Sequence, residues 1–129
     1  MKTDKEWVEL ILSRMKKGQE SLHTEMTKAV QEQSDMPERL WVYYTLSVLM
    51  SHPEQTRWDL LLAEIENLIQ DESQGNLCEI IYQEILETFA NAISNQSFEH
   101  HWITPHIGPR SRDYIQAYDK FMGGKTPGF

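Results

Sequence analysis

Two absences shape this 129-residue chain: it has one cysteine, and the 52 residues between Arg57 and Arg110 include no lysine or arginine. A lone thiol, Cys78, excludes an intramolecular disulfide and any cysteine-based metal cluster. Its neighbours at helical spacing are apolar, so it is expected to be a buried packing thiol and not a nucleophile. Long apolar runs are missing as well. The best candidate, residues 40–50, reads LWVYYTLSVLM and falls short of the roughly 20 residues a membrane-spanning helix needs. The opening MKTDKEWVEL carries charges where a secretory leader requires an apolar stretch, which points to a cytoplasmic protein. No alternating pattern of strand type and no internal repeat is found.

Reaction signatures are equally scarce. GGKTPG is similar to the end of a phosphate-binding loop, but the glycine required five positions before Gly124 is Asp119. Ser111 in GPRSRD lies near Asp113 and several histidines, yet the G-x-S-x-G turn is absent and a serine after Gly-Pro fits the first turn of a helix. The segment EHHWITPH holds His100, His101 and His106 without the one-turn spacing of a helical zinc motif. A metal-dependent hydrolase built on those three histidines is the enzymatic alternative; histidines packing beside Trp102 are the structural one. No cofactor motif is present, and the expectation is a protein without catalytic residues.

What the chain does have is helix. Apolar residues make up 40% and charged residues 25%, an ordinary balance for one globular domain spanning 1–129. Thr3 and Glu6 have capping-box spacing, and Trp7, Leu10, Ile11 and Met15 then share a face until Gly18. Residues 19–33 form a weaker, surface-lying amphipathic pattern. Pro37 suits the start of a third helix, whose residues 40–50 are apolar on all sides and belong at the centre. Pro53 is expected to open a fourth helix, with Trp58, Leu61, Leu62, Ile65, Leu68 and Ile69 on its stripe, and Asn76 a fifth through Cys78, Ile81, Tyr82, Ile85, Phe89 and Ile93. A polar loop leads to Pro109, which starts a last helix ended by Gly123-Gly124, with Tyr114, Ile115, Tyr118 and Phe121 expected to face inward. The predicted fold is all-α: a bundle of five or six helices with segment 105–129 packed on it.

The charges are distributed unevenly. Net charge is -8, and the cation-free interval holds nine acids, so the rest of the chain is close to neutral. At 100° per residue, Glu79, Glu84 and Glu87 lie opposite Ile81, Ile85 and Phe89, and Glu64 falls away from Ile65 and Ile69. Solvation is one explanation of such faces. However, solvating faces normally mix signs, and an unmixed field attracts a basic partner and raises its association rate. The candidate partner-binding residues are Glu64, Glu66, Asp71, Glu72, Glu79, Glu84 and Glu87. Nucleic acid is excluded as a partner because it requires a basic stripe. The expected state is a monomer or weak homodimer; a self-associating structural protein is a further alternative.

Arg110 and Arg112 stand at the positive end of the last helix's dipole, where cations are disfavoured by a few tenths of a kcal/mol. Something must compensate them: carboxylates of the fourth or fifth helix, which would make Arg110, Arg112, Tyr114, Tyr118 and Phe121 anchors of the tail, or a partner. Phe129 is expected to dock KTPGF on the core. The wording GPRSRDYxxAYDKFxGGKTPG, residues 108–128, resembles the ending of a family of small bacterial helical proteins of unknown function. Tyr118 stands where that ending has tryptophan, and Gly124 where it has a larger residue. The resemblance covers about a sixth of the chain and implies a bacterial cytosolic protein with no assigned chemistry. In size, helicity and acidity the chain is also similar in kind to immunity proteins, which neutralise a toxin by covering it; by that likeness the partner would be a nuclease-type toxin.

Overall fold

A computed structural model describes residues 2–70 and 75–129; among them there are six helices and no strand. α1 spans Asp4–Met15, α2 His23–Glu32, α3 Arg39–Ser51 and α4 Trp58–Ile69. α5 runs without a break through Gly75–Ile81, Tyr82–Leu86 and Glu87–Ser94, and α6 is Pro109–Met122. Single 3₁₀ turns at Glu20–Leu22 and His100–Trp102 fill two of the connections.

α1 begins where the sequence places it. The Thr3 hydroxyl accepts from the Glu6 amide at 3.2 Å and the Glu6 carboxylate accepts from the Thr3 amide at 3.0 Å, satisfying two of the amides a helix start leaves orphaned. Its buried face, Trp7, Val8, Ile11 and Met15, packs against α3, α4 and α5, while α2 lies along α3. A glycine is required at position 18, where φ is +75° and an added Cβ would sit 2.2 Å from Leu60 Cδ1.

α4 starts at Trp58, five residues after Pro53, which corrects the expected boundary. Residues 53–56 instead close α3: the Thr56 hydroxyl donates to the carbonyls of Leu49 and His52, both at 2.9 Å. The buried Gln19 amide then clamps the start of α4, donating to the Arg57 carbonyl at 3.0 Å and accepting from the Arg57 amide at 2.9 Å. Trp58 enters the core as the head of an aromatic cluster, its ring 6.1 Å from Phe89 and 5.4 Å from Phe98. Ile65, Ile69, Ile81, Ile85 and Ile115 are essentially inaccessible around it. Each such side chain contributes roughly 1.5–3 kcal/mol relative to leaving it in water. Cys78 is buried among these apolar groups, as expected.

α5 departs from a regular helix in its middle. The Glu87 amide donates to the carbonyl of Tyr82, five residues back, so one extra residue is accommodated in the turn Tyr82–Leu86. That turn is the part of α5 against which α3 and α6 both pack.

α6 has no side-chain cap of its own, since Gly108 precedes it. The missing acceptor comes from α4. Glu66, 9% exposed, accepts from the amides of Arg110 at 3.0 Å and Ser111 at 3.1 Å and from the Ser111 hydroxyl at 2.9 Å. A carboxylate at this helix start also meets the positive end of the dipole. The helix ends at Gly123, whose φ of +74° is left-handed, and the chain turns back. Asp119 accepts from the Thr126 amide and hydroxyl at 2.7 and 2.6 Å, and Thr126 is fully buried. Segment 105–129 is thus an integral part of the domain.

Candidate binding surface

The seven acids expected to form one outward lure are used in several different ways. Glu64 is held by Arg14 at 3.1 Å and Lys17 at 3.4 Å, both reaching across from the end of α1. Glu79 pairs with Arg39 of α3 at 3.3 Å. Glu66 is not on the surface at all; it is the buried cap of α6, so its assignment to a partner-facing set is corrected. Asp71 and Glu72 lie outside the described residues. Two more acids of the interval are also matched internally, Asp59 by Arg57 at 3.0 Å and Glu99 by His101 at 3.0 Å. Glu84 and Glu87 are left, both on α5, and neither has an ion pair among the described residues.

Burial raises the Glu84 carboxyl above its ordinary value; Arg39 offsets this in part, and the neighbouring Glu87 adds to it. Glu87 accepts a short hydrogen bond from the Tyr114 hydroxyl. Partial burial, followed by that bond, pushes the Tyr114 phenol far above its ordinary range, so the hydroxyl stays a donor at any physiological pH. The Tyr114 ring lies flat on Tyr82, with centroids 4.2 Å apart and planes 6° from parallel. One turn further along α6, the Tyr118 hydroxyl donates to Asn91 Oδ1 at 3.0 Å. Two tyrosines of α6 are thereby fixed against α5, Tyr114 by its ring and hydroxyl and Tyr118 by its hydroxyl.

Between them opens a groove of about 320 Å³ lined by Glu87, Tyr114, Ala117, Tyr118 and Phe121. Phe121 is 86% exposed and its neighbour Met122 61%. The expectation that Phe121 faces inward is therefore corrected. The buried line of α6 passes through Ser111 and Ile115, which puts the stripe Tyr114, Tyr118, Phe121 on its shoulder: the tyrosines are half-buried and Phe121 stands clear. Spacing alone revealed this stripe; its direction was decided by the Glu66 cap, which rotates α6 to bury Ser111.

Arg112 holds the tail through groups other than a carboxylate among the described residues. Arg112 donates to the Gly128 carbonyl at 3.2 Å, and its guanidinium lies 4.9 Å from the centre of the Phe129 ring. Gln116 donates to the Phe129 carbonyl at 3.1 Å. Arg110 contributes its backbone amide to the Glu66 cap.

The histidines do not assemble. His101 pairs with Glu99 and its ring lies 4.7 Å from Trp102, whereas His100 sits under Gly128. No group of three or more His, Cys, Asp or Glu side chains among the described residues is arranged to hold a metal ion. Nor is any described helix long and apolar enough to cross a membrane. No family model matches the chain, and no curated protein or solved structure shows significant similarity to it.

Proposed function

We propose that this chain is a cytoplasmic binding protein of the immunity type, which neutralises a basic, nuclease-type toxin by docking on it through the α5–α6 face. The observation that carries the reading is the pair Glu84 and Glu87: carboxylates with no ion pair among the described residues, on a helix that has no lysine or arginine, beside an open aromatic groove. Among the described acids, the distributed lure reduces to this smaller patch. Its field still favours a cationic partner, and the aromatic rim adds the kind of residue enriched at interface cores. A protein that binds nucleic acid carries the complementary charge.

Nona-arginine titrated into the isotopically labelled protein tests the charge requirement. Amide shifts should concentrate on α5 and α6 and vanish by about 0.5 M salt, where charges are screened within a few ångströms. Shifts spread evenly over all acidic positions, or absent at low salt, would remove the proposed face. The toxin class is tested by co-expression with a toxin-bearing product of an adjacent reading frame: protection should be lost in the double variant Glu84→Lys, Glu87→Lys. Joint exposure of Phe121 and Met122 favours one second reading, weak self-association. Sedimentation across a dilution series separates it, a constant monomer mass ruling it out.

A further inference from the structure

We infer that the α5–α6 groove is a receptor for a single arginine side chain of the partner, its guanidinium forked on Glu87 and its stem laid along Tyr118 and Phe121. The inference rests on the docking face proposed above and assigns it a specific ligand group.

Three features of the groove match an arginine. First, a carboxylate forms one end of it. Glu87 accepts from Tyr114 through one oxygen, yet a carboxylate offers about four lone-pair sites, so both oxygens retain capacity for the two parallel bonds of a guanidinium. Second, the walls are aromatic and pre-set. Tyr82 backs Tyr114, Asn91 holds the Tyr118 hydroxyl, and Phe121 projects into solvent at 86% exposure with a free face. Planar, weakly hydrated guanidinium groups stack on such faces, whereas a compact ammonium keeps its water. Ala117 is the small residue that leaves room between them. Third, the local field favours a cation. Glu87 adds to the raised proton affinity of the Glu84 carboxyl, and a positive group in the groove relieves that repulsion. The groove also lies toward the negative end of the α6 dipole. Lys120, the basic residue of that last turn, is displaced by about 130° around the helix from the centre of the Tyr114–Tyr118–Phe121 stripe and does not line the groove.

Titration with N-acetyl-arginine methylamide, read by amide shifts, tests this directly. Saturable shifts are expected at 114, 117, 118 and 121, and none with the citrulline analogue, which keeps the shape and lacks the charge. Glu87→Gln, which preserves an acceptor for Tyr114, should weaken the arginine probe about tenfold, and Phe121→Ala, an exposed position with no role in packing, several-fold. Equal shifts from arginine and citrulline, shifts confined to other surfaces, or unchanged affinity in Glu87→Gln would overturn the inference. The nona-arginine titration separates the two levels: if it perturbs α5 while the single-residue probe leaves the groove silent, the receptor falls and the docking face stands; if neither binds, both fall.

Discussion

Replacing Glu66 by alanine should be among the most damaging single changes to this protein, although the side chain contributes almost nothing to the apolar core. The substitution removes three hydrogen bonds to a charged acceptor, at 2.9 to 3.1 Å, in a site where Glu66 is only 9% exposed. Bonds to charged groups contribute about 1.5–3 kcal/mol each in isolation, but three that share one carboxylate do not add. Loss of an ordinary helix cap costs about 1 kcal/mol. Orphaning the Arg110 and Ser111 amides in a poorly hydrated site raises that to roughly 3 kcal/mol for Glu66→Ala. Glu66→Gln keeps one acceptor oxygen and should lose about half as much. Ser111→Ala removes one bond and leaves the cap, at about 1 kcal/mol. Urea unfolding followed by tryptophan fluorescence reports the global transition, because Trp58 is buried against Phe89 and Phe98. The order Ala, then Gln, then Ser111→Ala is as diagnostic as the sizes. A Glu66→Ala protein within about 0.5 kcal/mol of the parent, the range of an ordinary surface change, would refute the trans-cap.

Two further outcomes follow from neighbouring geometry. Gly108→Ala would place a Cβ 2.3 Å from Glu66 Oε1, and because that carboxylate is pinned by its three donors the cost should reach about 1–3 kcal/mol; in the double variant with Glu66→Ala the two losses should sum to less than their separate values, as unfolding in urea would show. Glu84→Gln should raise the melting temperature slightly at neutral pH. Burial holds the Glu84 carboxyl above its ordinary value, so its favourable contribution is complete below the unfolded-state value and is lost as pH rises through the raised folded one. The advantage of the variant must therefore shrink as pH falls toward the ordinary carboxyl range, and a gap that widens on acidification would contradict the assignment.

Helix number and type were legible in the sequence because they depend on local signals. Thr3 and Glu6 formed the capping box their spacing announces, and the apolar stripes of α1, α4 and α5 identified half of the buried apolar residues. Where a partner distant in sequence decides the outcome, the local pattern misled. α4 starts at Trp58 because Gln19 grips Arg57 from 38 positions away, a contact that nothing around Pro53 reveals. Glu66 read as one more acid of a helix face; its burial depends on an N-terminus 44 residues later that lacks a cap. Phe121 shares the period of Tyr114 and Tyr118, but periodicity fixes which residues share a face and not how far along the helix a neighbour continues to cover it. Of the candidate surface, Glu84 and Glu87 were in the acid set and Tyr114 and Tyr118 in the tail set. That the two sets meet in one groove became visible only when α6 was laid on α5.

The irregular turn of α5 has a bearing on how this sequence can change in length. Deleting one residue at 75–81 or 87–88 of that helix would swing everything downstream by about 100° and expel Phe89 and Ile93 from the interior. Within 82–86 the same deletion would merely restore ordinary winding and leave both halves oriented as before, so this short span is where a natural lineage could shed or acquire a codon without rebuilding the domain.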